Sequence, residues 1–162
     1  MIITTAEIIR LFVFPILGLL LMFVVQPTLY QSQIIRLGDV DVEKWLPNGY
    51  YPQAGLVFGC AIFAALAWSV WNTMSPPGAM SVRRGRSIAW WILSLVPILA
   101  VVVATIWSRK AVLGNNFGSD AATLSLIALF SVDILFLYWL TTATTTPGNA
   151  RDLPPGARLF GR

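Results

Sequence analysis

The sequence predicts an all-α integral membrane protein: a bundle of four transmembrane helices, with both termini cytoplasmic and a long interfacial loop between helices 1 and 2. Three observations carry that expectation. Four apolar runs, 8–25, 53–72, 87–107 and 122–143, each approach the roughly 20 residues an α-helix needs to cross a hydrocarbon core about 30 Å thick. Charged residues make up 11% of the chain, against about 25% in an ordinary soluble domain. The basic residues gather near the ends of the runs, as membrane orientation requires. In lipid every backbone N–H and C=O must be satisfied within the protein, which selects helices over irregular segments. Residues 1–146 therefore read as one transmembrane domain and 147–162 as a Pro/Gly-rich, basic cytoplasmic tail.

The first run contains Pro15, and Arg10 is the basic residue near its start. Gln26-Pro27-Thr28 follows without a small-x-small cleavage pattern, so a retained helix is expected in place of a signal peptide. The connection from 26 to 52 is long for a hairpin and is studded with apolar residues, among them Ile34, Ile35, Leu37, Val40 and Val42. A short interfacial helix is expected near Asp41, its carboxylate capping the first N–H groups. Trp45, Tyr50 and Tyr51 are candidate partner contacts on this loop, and the equal alternative is a lid over the chain's own helix ends. Asp39, Asp41 and Glu43 resemble the start of a calcium loop. Lys44 then stands where that loop needs glycine, and Tyr50 where it needs a bidentate glutamate, so a solvated acidic face is expected.

The second run carries Gly55-x-x-x-Gly59, with further small residues at Cys60, Ala61, Ala64, Ala65 and Ala67. Helix turns of about 100° per residue spread these over several faces. A helix that several neighbours can approach closely belongs at the centre of a bundle, and a homodimer face is the alternative. Cys60, the sole cysteine, reads as a small packing residue. Arg83, Arg84 and Arg86 follow this run. With Arg10, Arg151, Arg158 and Arg162 they give seven basic residues on the side of the termini, against four (Arg36, Lys44, Arg109 and Lys110) on the other. The positive-inside rule then places the termini in the cytoplasm.

The third run contains Pro97, which frees the carbonyl of Leu93, and Ser94 beside it. The fourth contains Asp133 near its middle. An ionised carboxylate there costs at least about 2.5–3.5 kcal/mol on insertion scales. The expectation is an uncharged Asp133 that donates a hydrogen bond to a neighbouring helix, with the carbonyls of Leu93 and Leu11 or the Ser94 hydroxyl as acceptors. Asp133, Ser94, Pro97, Gly55 and Gly59 are thus the candidate packing and polar-anchor residues. Trp68, Trp71, Trp90, Trp91 and Trp107 read as an aromatic belt at headgroup level. In the tail, Leu159 and Phe160 are apolar anchors for a partner. The string PPGA occurs at 76–79 and again at 154–157, but the offset that aligns the copies misaligns helices two and four by about two turns, so no internal repeat is inferred.

The chain has no histidine, no paired cysteines and no nucleotide-binding or hydrolase motif. An intramembrane aspartate dyad would need a second membrane aspartate. No enzymatic activity, cofactor or metal is expected. The pI near 9.7 does not indicate nucleic acid, since there is no soluble domain to carry a basic face. The expected partners are the lipid bilayer and other membrane subunits, with a homo-oligomer possible. The functional expectation is a non-catalytic accessory subunit or assembly factor of a larger, energy-transducing complex, in a bacterial inner membrane or an equivalent internal membrane. The alternative is a small homo-oligomeric channel or transporter using Asp133.

Overall fold

A computed structural model describes residues 5–38, 40–74, 87–113, 120–146 and 153–160. Four long helices fill it: α1 (5–31), α2 (42–74), α3 (Ser87–Leu113) and α4 (120–145). All four are long and apolar enough to cross a membrane, over Ile8–Gln31, Val42–Asn72, Ile88–Ser108 and Ala121–Thr145. Pro15 and Pro97 lie inside α1 and α3 without ending either helix. The expected arginine cluster Arg83, Arg84 and Arg86, the first PPGA string, Asp39, Pro147, Gly148, Arg151 and Arg162 lie outside the described residues.

The expected long loop between the first two helices is corrected. The connection spans only 32–41, because both flanking helices run past their predicted ends. In α1 a wide π-type turn, Leu21–Val25, precedes Gln26–Gln31, and the N–H of Gln26 bonds the carbonyl of Leu21. Pro27 falls in the first turn of that last segment, where its missing N–H costs little. In α2 a second wide turn, Leu46–Tyr50, absorbs Pro47 and joins Val42–Trp45 to Tyr51–Met74. The expected cap is present: Asp41 accepts a hydrogen bond from the N–H of Glu43 at 3.1 Å. Lys44 lies 3.2 Å from the other carboxylate oxygen of Asp41. The hydrogen bond from the Lys44 ammonium is the chief reason the Asp41 carboxyl lies below the usual carboxylate range.

Helices α2 and α4 form the central pair, each packed against the other three, and α1 and α3 flank them. In α2 the close contacts are made by Ala54, Val57, Ala61, Ala64 and Ala65, all buried. The expected packing role of Gly55 and Gly59 is not met within the chain. Both are exposed, and a Cβ at either would meet nothing within 4 Å. A glycine that does allow close approach between helices is Gly18 of α1, where a Cβ would overlap the side chain of Leu137 in α4. The outward faces are apolar, with Phe12 and Ile16 of α1 and Ile92, Leu99 and Trp107 of α3 exposed.

The tail returns to the bundle. Trp139 Nε1 donates to the carbonyl of Pro155 at 2.8 Å, and the Phe160 ring lies 6.1 Å from that of Trp139. Gly156 makes the approach possible. It has φ +79°, and a Cβ there would press on the Trp139 indole at 3.1 Å.

Candidate functional site

The wide turns bring three polar side chains from three helices together. Gln26 follows the wide turn of α1, Tyr50 closes that of α2, and Asp133 of α4 lies just before a third, Leu135–Leu140. An extra residue in a turn rotates everything beyond it by about 100°, so such turns can re-aim a side chain that a regular helix would present elsewhere. All three side chains are at most 1% exposed.

Gln26 Nε2 donates to Asp133 Oδ1 at 2.8 Å. The Tyr50 hydroxyl has two acceptors in range, Gln26 Oε1 at 2.6 Å and the carbonyl of Met22 at 2.8 Å. One amide therefore links a carboxyl on α4 to a phenol on α2. Aromatic rings seal the group: Tyr50 lies 5.8 Å from Phe130 and 5.7 Å from Trp45, and Tyr30 lies 4.8 Å from Trp45. The Tyr30 hydroxyl donates to Ser125 Oγ on α4 at 3.1 Å. Asp133 Oδ2, Gln53 Nε2 and Trp45 Nε1 are buried and have no hydrogen-bond partner among the described residues.

Asp133 thus does join helices, but through a different partner from those expected. Its bonded oxygen accepts from a side-chain amide, whereas the sequence suggested donation to the carbonyls of Leu93 or Leu11 or to Ser94. The Ser94 hydroxyl instead donates to its own helix, to the carbonyl of Trp91 at 2.7 Å. Pro97 is buried in α3, apart from this group of contacts. Gln26 is not among the candidate anchors of the sequence because it lies one residue beyond the predicted end of the first run. The available signal was its place before Pro27, which can open a new helical turn.

Trp45 and Tyr50, expected to meet a partner, are fully buried inside the bundle. Both residues, read from the sequence as loop, belong to the first turns of α2, and from there their rings pack beside the polar group. Tyr51, Leu159 and Phe160 keep exposed surface, 36%, 81% and 40% respectively.

The opposite end of the bundle holds a second polar layer. Trp68 Nε1 donates to Thr146 Oγ1, and Trp90 Nε1 to Thr142 Oγ1, each at 2.9 Å. The Tyr138 hydroxyl donates to the carbonyl of Trp90 at 2.7 Å, with the two rings stacked 4.9 Å apart. Trp68 and Trp90 are therefore core residues and not part of an aromatic belt. Trp71, Trp91 and Trp107 are more than half exposed, as belt residues would be. Arg10 donates to the carbonyl of Thr144 at 3.2 Å, so a cation meets the negative end of α4.

A carboxyl, an amide and a phenol in series contain no nucleophile paired with a base. Among the described residues no three His, Cys, Asp or Glu side chains converge on a metal site. What the arrangement does chemically is fasten α1, α2 and α4 at one depth. Comparison with protein-family models, curated proteins and solved structures finds no match.

Proposed function

We propose that the chain is a non-catalytic membrane subunit or assembly factor of a larger complex. The observation that carries the reading is that Asp133 is engaged inside its own bundle by Gln26. Between 46 and 72, 88 and 108, and 121 and 145 it is the only Asp, Glu, Lys or Arg, so no series of ionisable groups accompanies it. The surfaces left for recognition are apolar helix faces and the tail residues Leu159 and Phe160. In this reading the termini are cytoplasmic, as the seven-to-four division of basic residues favours, and the membrane is a bacterial inner membrane or an equivalent internal one.

The test is gentle detergent extraction from the native membrane, native sizing, and identification of the chains that co-migrate. Co-migration with unrelated membrane subunits is expected. Migration as a lone monomer or a discrete homo-oligomer overturns the proposal.

A second reading, a small homo-oligomeric channel or transporter, draws on two observations. Asp133 Oδ2 is buried without a partner among the described residues, and Gly55 and Gly59 offer an open small-residue face. It requires flux through the reconstituted chain that Asp133→Asn abolishes while assembly is unchanged.

A further inference from the structure

Where α1 ends and the chain turns toward α2, a cavity of about 430 Å³ opens, lined among others by Tyr30, Gln33, Ile35, Arg36, Val40 and Val42. Two residues with left-handed backbone, Gln33 at φ 57° and Gly38 at φ 71°, turn the chain twice and curl 33–38 around the space. The cavity lies just past Gln31, where the first apolar span ends, and beside Val42, where the second begins. In a bilayer that is headgroup depth.

We propose that this cavity holds the headgroup of an acidic phospholipid, one whose phosphate charge is not offset by a cation in the same headgroup. Arg36 supplies the charge. It forms no ion pair among the described residues, whereas the nearby Asp41 is already engaged by Lys44. A guanidinium presents a planar fork of donors that matches two phosphate oxygens. Gln33 also lines the cavity. The Tyr30 hydroxyl is turned away to Ser125, so what Tyr30 can offer the cavity is its ring. Ile35, Val40 and Val42 add apolar side chains to an otherwise polar lining, which suits the glycerol and upper acyl carbons of a lipid. The volume is that of a small-molecule site and far exceeds what an inorganic phosphate fills.

The experiment uses the full chain, purified and delipidated in maltoside micelles, with lipid retention read by native mass spectrometry. Phosphatidylglycerol and phosphatidylcholine are titrated separately. One phosphatidylglycerol is expected to be retained at about tenfold lower concentration than phosphatidylcholine, whose choline cation offsets the phosphate charge that Arg36 meets; about tenfold is the scale of one charge-assisted contact. Arg36→Gln should erase that preference, while Lys44→Gln, at a neighbouring exposed cation, should leave it. Val40→Trp, which fills the cavity without changing charge, should lower the retention of both lipids. Far-ultraviolet circular dichroism of each variant establishes that the helices are intact. Equal retention of the two lipids by the wild type, or a preference that survives Arg36→Gln, overturns the proposal. So does displacement of phosphatidylglycerol by inorganic phosphate at similar concentration, which would make this a free-anion site.

Discussion

Replacing Gln26 with leucine keeps a side chain of similar bulk and removes both functions of the amide. Asp133 Oδ1 loses its donor at 2.8 Å, and Tyr50 loses one of its two acceptors. Interhelical hydrogen bonds within a membrane average about 0.6 kcal/mol and reach about 1.7. A buried polar group stripped of its partner costs about 1–3 kcal/mol. Tyr50 keeps the carbonyl of Met22 at 2.8 Å, so its share falls at the low end. Gln26→Leu should therefore destabilise the bundle by about 2–4 kcal/mol. Asp133→Leu removes the carboxyl altogether, and in that background Gln26→Leu has less left to break. The double-mutant cycle should show a coupling of about 1–2 kcal/mol, the double variant being less destabilised than the sum of the singles. Equilibrium unfolding in mixed dodecylmaltoside–dodecylsulfate micelles, followed by tryptophan fluorescence, measures all four corners. Coupling within about 0.3–0.5 kcal/mol of zero, the range of independent sites, would refute the claim that this contact ties α1 to α4.

The glycines give a paired test in the same assay. Gly18→Val forces branched carbons into Leu137 and should cost about 1–3 kcal/mol, whereas Gly55→Leu and Gly59→Leu should leave the stability of the monomer unchanged or raised. A loss of stability at Gly59 that matches the loss at Gly18 would contradict the packing described. Trp68→Phe and Trp90→Phe each delete an indole donor to a threonine on or just after α4 and should cost about 1–2 kcal/mol, while Trp107→Phe at an exposed position should cost little. The cap at α2 predicts a pH dependence. Because Lys44 depresses the Asp41 carboxyl, the cap's contribution is complete above the unfolded carboxylate value of about 3.9 and is lost as pH falls through the lower folded value. Protection of the Glu43 amide, its exchange rate relative to that of an unstructured peptide at the same pH, should be present at neutral pH and lost in strong acid, and absent at both in Asp41→Ala.

The four helices were legible because apolar run length is a physical requirement of the bilayer and needs no tertiary information. The cap at Asp41 was legible for the same reason, being local. The ends of the first two spans were not. The apolar runs stop before Gln26-Pro27 and start after Pro47-Asn48, yet the wide turns at Leu21–Val25 and Leu46–Tyr50 let helix continue through both places. Asp133 stood out as a lone carboxyl in an apolar run, but its partner was hidden by those misplaced ends. The burial of Trp68 and Trp90 was hidden too. A tryptophan near a helix end looks the same in sequence whether it faces headgroups or a threonine on the next helix.

Why these two polar layers sit where they do follows from what lipid removes. Apolar side chains gain no hydrophobic free energy from leaving hydrocarbon for a neighbouring helix, so beyond van der Waals packing the faces of α1 to α4 do little to fix how the helices are set against one another. Directional contacts at both ends do. Gln26 and Tyr30 pin α1 to α4 at one end, and Arg10 pins the same pair at the other. Tyr50 ties α2 to α1, and Trp68 and Trp90 tie α2 and α3 to the end of α4. Helix α4 is the common member of nearly all of them. A bundle fixed from inside leaves its outer faces free of structural duty, so substitutions should separate into two kinds. Changes to the inner contacts should lower the amount of folded protein without changing what co-migrates with it. Changes to exposed positions such as Phe12, Ile92 or Leu159 should leave the amount alone and alter the company it keeps. Loss of co-migrating chains only in proportion to the loss of folded protein, across both kinds of variant, would mean that the outer faces meet nothing but lipid.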